Sequence, residues 1–325
     1  MRREDLAALA ARTLRALDLP GLPAGARLAS GKVRDIVSVG DDLLITTTDR
    51  ISAFDRVLAT VPGKGEVLNT LTLFWMDRTA DIVPNHLLEQ VSARTVRAAR
   101  CDVVPVEVVV RGYLTGSALR DYQAGRPVSG IVLPPGMRPS QRFETPLLTP
   151  STKEATGLHD RPVSRDELLA GNLVPRGLWE EIERTALALF RRGSEVAAAN
   201  GLILVDTKYE FGLRRGTLTL IDEVHTPDSS RYWYADTYRR LFEAGERQRE
   251  LDKEYLRQWL LERGFKGDGE PPAIPSEVLV EVAWRYVTAW QTITGTDLVP
   301  RSLDAAAESR LVLDAARRAP GAGRG

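Results

Sequence analysis

Two acidic segments, Asp206-Thr-Lys-Tyr-Glu-Phe-Gly212 and Leu220-Ile-Asp-Glu-Val224, restrict this chain more than any other feature of it. The first follows the apolar run Leu202-Ile-Leu-Val205, and the second continues Leu218-Thr-Leu-Ile221. Both runs read as short strands, and Gly212-Leu-Arg-Arg-Gly216 between them has the residues of a hairpin turn. Such a hairpin gathers Asp206, Lys208, Glu210, Asp222 and Glu223 into one small region. Carboxylates crowded on neighbouring strands repel one another unless a cation lies among them, and Mg²⁺ bridging nucleotide phosphates is the usual one. Spacing alone leaves open a solvated hairpin face with ordinary cross-strand ion pairs.

Lysine usage favours a site. Of 44 basic residues only Lys32, Lys64, Lys153, Lys208, Lys253 and Lys266 are lysines. An ammonium is a compact charge with mobile donors, which suits phosphate oxygens and shared sites better than a fixed guanidinium fork does. Four of the six stand in glycine-, proline- or acid-rich segments: Gly31–Asp35, Pro62–Glu66, Thr149–Lys153 and Asp206–Gly212.

A chain of 325 residues exceeds the usual single compact unit, so two lobes are expected. A formal charge of zero supplies no basic excess for a nucleic-acid partner. One cysteine, Cys101, excludes an internal disulfide, and the scattered His86, His159 and His225 offer no zinc-ligand spacing. No apolar run reaches membrane-spanning length, and Met1-Arg-Arg-Glu-Asp lacks a signal-peptide core. These features predict a soluble cytoplasmic protein with neither a nucleic acid nor a membrane as partner.

Apolar periodicity predicts helices over 3–17, 66–80, 164–171, 176–200, part of 235–263, 276–292 and 302–318. Strands are expected at 33–39, 43–48, 103–110 and in the 202–223 hairpin, with loops over 134–152 and up to 231 and a disordered tail from 319. Strands and helices intermix without βαβ alternation, which makes the fold class α+β.

Other segments carry candidate chemistry. Ser30-Gly-Lys-Val-Arg-Asp35 can lay backbone amides and an ammonium against phosphate, although it lacks the Walker A spacing. Thr46–Asp55 mixes hydroxyls, acids and an arginine at a strand end, as a site-lining loop or a capping segment would. Glu107 lies inside an apolar run and needs a partner, either Arg111 or a lysine. Arg111, Thr115 and Ser117 surround two glycines and make a receptor for phosphate or carboxylate. Thr226-Pro-Asp-Ser-Ser-Arg231 follows the acidic hairpin, with hydroxyls and Arg231 placed to grip a sugar or phosphate. His225 stands beside it as a possible general base, whereas Tyr232, Trp233 and Tyr234 read as core.

Taken in order, Gly31–Ile36, Thr48–Asp55, Pro62–Asn69, Val106–Gly116, Thr149–Lys153, Asp206–Gly212 and Ile221–Arg231 resemble the signatures of the SAICAR synthetase family, with a continuation at Leu251–Trp259. The terminal helices and Thr226–Arg231 are similar to its longer form. The resemblance implies a two-lobed α+β fold reminiscent of kinases and ATP-grasp ligases, with ATP in the cleft between lobes over 1–112 and 113–325. It implies ligation of L-aspartate to the carboxylate of carboxyaminoimidazole ribonucleotide (CAIR), with ATP and Mg²⁺, and a monomer ahead of a dimer. By motif, Gly31, Lys32, Val33 and Arg34 would cover the ATP phosphates, and Glu210 and Asp222 would hold Mg²⁺. Arg111, Ser117, Asp206, Asp228, Ser230 and Arg231 would bind the ribonucleotide. Lys153, Lys208 and Glu210 would be catalytic, with Lys64 also near the reacting carboxylates. A small-molecule kinase and a non-catalytic nucleotide-binding regulator are the competing classes.

Overall fold

A computed structural model describes residues 3–54, 56–153, 161–251, 254–301 and 303–320. Asp55, His159, Asp252-Lys253 and the end of the predicted tail, 321–325, lie outside them. In chain order the elements are α1 (Arg3–Leu9), β1 (Arg27–Ser30), β2 (Arg34–Val39), β3 (Asp42–Thr47), β4 (Arg50–Ala53), β5 (Arg56–Thr60), α2 (Lys64–Arg78), β6 (Leu87–Gln90) and β7 (Thr95–Ala99). There follow β8 (Asp102–Tyr113), α3 (Gly116–Gln123), β9 (Arg142–Thr152), α4 (Arg165–Ala170), α5 (Arg176–Ala199), β10 (Leu202–Arg214), β11 (Thr217–Ile221), β12 (Ser230–Tyr234) and α6 (Ala235–Ala244). Last come α7 (Glu254–Glu262), α8 (Ser276–Thr294) and α9 (Ala305–Arg318).

The chain forms two compact units that interleave in sequence. One comprises Met1–Phe74, His86–Arg100 and Asp252–Gly325; the other comprises Trp75–Asn85 and Cys101–Leu251. A single cut at 112/113 therefore differs from the observed division. The terminal residues join the first unit because α9 brings Val312, Ala315 and Ala316 onto Val37, Val39 and Leu44 of β2 and β3. Glu308 of the same helix accepts hydrogen bonds from Ser92 Oγ (2.5 Å) and Thr95 Oγ1 (2.6 Å).

In the first unit an antiparallel sheet has the order β1-β2-β3-β7-β6, and β4 pairs with β5 separately. Alternate burial along β2 puts Val37 and Val39 on the core face, as a period of two requires. The helix predicted over 3–17 is shorter than its apolar spacing suggests. After a 3-10 turn at Ala10–Arg12 the chain becomes extended, and Leu14 N and Leu17 N donate to the buried carboxylates of Asp49 and Asp35, each at 2.8 Å. Those tertiary bonds replace the helical ones that the spacing favoured.

In the second unit the sheet order is β11-β10-β8-β9, with β12 also paired to β10. One edge of β10 meets β12 over residues 202–207 and β11 over 210–214; its other edge meets β8. Helix α5 packs on β10 and buries Trp179, Ile182, Ala186, Leu189, Phe190 and Ala197, a 3–4 spacing that forms one apolar stripe. The loop expected over 134–152 becomes strand β9 from Arg142 onward. Pro150 is tolerated because β9 is the terminal strand in that sheet order: among the described residues its outer edge carries only the isolated Ser151–Pro162 bridge, where Pro150 takes part as an acceptor from Val163 N (3.0 Å). The expected polar loop likewise ends at Ser230, where β12 begins and buries Tyr232 and Trp233.

Candidate active site

The β10–β11 hairpin forms as expected, but its turn is tighter. Strand β10 continues through Gly212 to Arg214, leaving Arg215 and Gly216 as a two-residue turn with φ of 52° and 81°. Both values are positive, which matches the hairpin turn that follows the twist of its strands. Gly212 lies instead at a register shift against β8, where a Cβ would stand 2.7 Å from Cys101 Cβ. It serves close strand approach rather than the turn.

Period-two alternation puts Asp206, Lys208 and Glu210 on one face of β10. Across the strand pair Arg111 faces Asp206, Val109 faces Lys208 and Glu107 faces Glu210. Lys208 Nζ lies 3.0 Å from Glu107 Oε1 and 3.7 Å from Asp222 Oδ2, and it also pairs with Glu210. Glu210 receives Lys153 on its other oxygen. The partner that Glu107 required is thus Lys208. Burial favours the neutral forms of these groups, but Lys208 and Lys153 override it at Glu210 and hold its carboxyl at about 2. Glu210 and Glu107 likewise overcome burial at Lys208 and raise its pKa. Glu223 stands apart and accepts from Thr226 Oγ1 within the loop that follows β11.

One residue along the same face a second cluster begins. Arg111 is buried and donates to Thr149 Oγ1 (2.9 Å) and Ser117 Oγ (3.0 Å), and it lies 3.5 Å from Asp206 Oδ2. Arg231 Nε is 3.5 Å from Asp206 Oδ1, so one carboxylate orients two guanidinium groups. Gly116 has φ 60°, and a Cβ there would collide with Arg231. Ser117 stands in the first turn of α3, whose N-cap residue Thr115 makes no side-chain cap hydrogen bond, so the helix N-terminus adds partial positive charge beside Arg111. Ser230 Oγ instead donates to Thr207 Oγ1 (2.7 Å), and Asp228 N to Thr226 Oγ1 (3.3 Å), fixing the 222–229 loop.

His225 is not a general base. Its ring is fully buried edge-on to Trp75 and bonded to Tyr209 Oη through Nε2 at 2.5 Å. Gly193 of α5 leaves the room it fills, since a Cβ there would strike the imidazole. Burial lowers its pKa to about 3, and Nδ1 has no hydrogen-bond partner among the described residues. The native state therefore refuses a proton that the unfolded chain accepts near 6.5, so stability from this group is present above 6.5 and lost as pH falls toward 3. Replacing His225 by Leu should cost about 1–3 kcal/mol at pH 7 by orphaning Tyr209 Oη. That deficit should shrink by about 2 kcal/mol at pH 5, because the variant escapes the proton penalty. Urea midpoints at the two pH values check this.

The remaining candidates lie in the first unit. Gly31 N donates to Arg34 O (2.8 Å), closing the Gly31–Arg34 turn ahead of β2. Lys64 is fully buried at the start of α2, with Nζ 5.4 Å from the centre of the Tyr286 ring. Gly65 N donates to Asp49 Oδ1 (2.8 Å), and Asp49 also takes Arg94 Nη1 (2.7 Å). The sequence placed Asp49 and Arg50 inside a segment read as site-lining or capping, and it did not point to Arg94 or to the Arg50–Asp35 pair. Their signal was weak: a charge inside Thr46–Asp55 shows its burial only once β2, β3 and β7 are paired.

The donors fit Mg²⁺ as a nucleotide-borne ion. Glu210 and Asp222 offer hard oxygen donors gathered about one ammonium, itself a cation position. Among the described residues no group of three or more potential ligands forms a protein-only cage. Mg²⁺ commonly takes one or two carboxylates and completes its shell with phosphate and water.

A family model described as SAICAR synthetase matches residues 27–273. The chain belongs to the SAICAR synthetase family. A phosphoribosylaminoimidazole-succinocarboxamide synthase of Bacteroides thetaiotaomicron is 46% identical over 283 residues, covering 86% of this chain and 90% of that protein. The SAICAR synthase of Saccharomyces cerevisiae, solved with SAICAR, superposes with a TM-score of 0.77 at 32% identity, covering 88% of this chain and 100% of that one. A type-2 SAICAR synthetase solved with ADP shares the fold at 23% identity, with a TM-score of 0.65 over 84% of this chain and 100% of that one. Members of the family are ATP-dependent ligases of purine biosynthesis that join L-aspartate to CAIR, and this chain is a carboxylate–amine ligase of that kind. Its α+β architecture agrees with that membership.

Proposed function

We propose that the charged face of β8, β9 and β10 is where this ligase activates the CAIR carboxylate. The observation that carries the reading is the Lys153–Glu210–Lys208–Glu107 network, with Asp222 beside it and the Arg111–Ser117–Arg231 cluster next along the same strands. Arg111, Ser117 and Arg231 would take the ribonucleotide phosphate, with Asp206 orienting both arginines. Ser230 and Asp228 would bear on the ribonucleotide from the loop end. Lys32, Arg34 and the backbone of Gly31 and Val33 would take the phosphates of ATP. The ADP carried by the type-2 relative supports nucleotide use here.

A carboxylate resists attack by an amine, so it must first be activated. A CAIR carboxylate oxygen takes the γ-phosphoryl group and ADP leaves; the amine of aspartate then attacks the acyl carbon, inorganic phosphate leaves, and the amine gives up a proton. Lys153 and Lys208 would balance the charge that collects on the transferring group. Mg²⁺ held by Glu210 and Asp222 would supply further charge neutralisation of the phosphates.

The test is ADP release from purified protein with Mg-ATP, omitting CAIR and aspartate in turn. Release that requires both is the expected result. Release with CAIR alone would indicate a kinase or an uncoupled acyl phosphate, and none under any combination would leave a nucleotide-binding protein. Among the described residues no helix is long and apolar enough to cross a membrane. A cytoplasmic location and a monomer complete the reading, and light scattering of the purified chain tests the latter.

A further inference from the structure

The Thr46–Asp55 segment has no role in the chemistry above, yet it holds a buried arginine whose guanidinium makes five hydrogen bonds. Arg50 is 7% exposed and opens β4. Its Nε donates to Lys32 O (3.1 Å), and its Nη2 donates to Gly31 O (2.9 Å), Arg34 O (3.1 Å) and the buried carboxylate of Asp35 (2.8 Å). Nη1 reaches Arg15 O (2.5 Å). The remaining carbonyl of the turn, Val33 O, accepts from Thr48 N (2.9 Å) and Thr48 Oγ1 (2.8 Å). Thr48 and Arg50 between them engage all four carbonyl oxygens of Gly31–Arg34.

The physical consequence is electrostatic. A phosphate approaching a tight turn is repelled by carbonyl oxygens and attracted by amides and cationic side chains. Carbonyls already bonded to a guanidinium and a hydroxyl have their lone pairs engaged and are held to one side of the turn. We propose that Arg50, assisted by Thr48, is a positioning residue for the nucleotide: it turns the Gly31–Arg34 carbonyls inward and so presents the turn to the phosphates of ATP. The inference rests on the reading that this turn covers ATP. No lysine can substitute for Arg50, because an ammonium lacks the planar fork that spans several carbonyls and one carboxylate at once.

The measurement is ADP affinity by calorimetry, steady-state constants for each substrate, and hydrogen exchange across residues 27–47, on Arg50→Lys and on the near-isosteric Thr48→Val. Arg50→Lys should weaken ADP binding and raise the KM for ATP about tenfold, the loss of about one net charge-assisted hydrogen bond. The KM for aspartate and for CAIR should stay unchanged, and exchange should quicken at Gly31 while the β2–β3 ladder keeps its protection. Thr48→Val should give the same pattern at about threefold. Lys32→Ala serves as the control for the parent reading. If it weakens ADP while Arg50→Lys and Thr48→Val do not, the positioning role is overturned and the nucleotide turn stands. Should none of the three weaken ADP, the turn does not serve the nucleotide and both fall. Loss of protection throughout the sheet, with all KM values shifted together, would make Arg50 a purely structural residue and also overturn the proposal.

Discussion

Glu210→Gln should lower turnover by roughly 10³-fold while the chain still folds. The carboxylate is 6% exposed and shared by two ammonium groups, and it is the only described residue through which Lys153 and Lys208 are joined. An amide of the same shape keeps the packing but removes the charge that fixes both lysines and holds the metal. The fold tolerates this because each lysine retains an outlet. The Lys153 side chain is 40% exposed, and Lys208 keeps Glu107 and Asp222. Acid stability separates this variant from a merely damaged one. The wild-type carboxyl is held at about 2 against an ordinary 4.5, so its stabilisation is complete above 4.5 and is lost as pH falls toward 2. The shift is on the order of 3 kcal/mol, and the glutamine variant should lack that part of the acid transition. Circular dichroism, melting temperature and turnover at saturating Mg²⁺ measure the three effects together. Full turnover would remove Glu210 from both the metal and the lysines' function.

The charged face was legible because strand alternation is a strong rule. Once Asp206, Lys208 and Glu210 are read as one strand, they must share a face, and an acid inside the apolar run at Glu107 must find a cation. Lysine scarcity marked Lys153 and Lys208, which meet at Glu210. What was not legible depends on neighbours distant in sequence. Pro150 punctuates β9 in the sequence, and only its place at the end of the sheet order makes it harmless. Leu14 and Leu17 continue a helical pattern, yet their amides go to Asp49 and Asp35, some 35 and 18 residues away. Terminal helix α9 carries an apolar face that names no partner, so its membership of the first unit could not be read from its own residues. His225 shows the limit of adjacency: it follows the acidic pair, but φ of 51° and the space left by Gly193 carry its ring into the core.

Replacing Arg111 by Met should raise the KM for the ribonucleotide about 100-fold and leave the KM for ATP within a factor of about three. Arg111 is 9% exposed, and burial lowers its pKa from the ordinary value, so it is a desolvated cation that gains from an incoming anion. Its three side-chain partners are Thr149, Ser117 and Asp206. Asp206 lies 3.5 Å from it and 3.5 Å from Arg231, so deletion of Arg111 does more than remove one donor. Among the described residues Arg231 is then the one cation paired with Asp206, and it is drawn toward full pairing with that carboxylate, at the expense of the phosphate. Asp206 keeps one guanidinium, so the stability cost falls below the about 3–5 kcal/mol of an unpaired buried charge, yet the variant should still melt at a lower temperature. Arg231→Met separates the two effects. Its side chain is 32% exposed, so it should weaken the ribonucleotide by a smaller factor and leave the melting temperature nearly unchanged. Steady-state kinetics with each substrate varied in turn distinguishes this from general damage. An equal rise in every KM would show that Arg111 holds the β8–β10 pair together and does not select the phosphate.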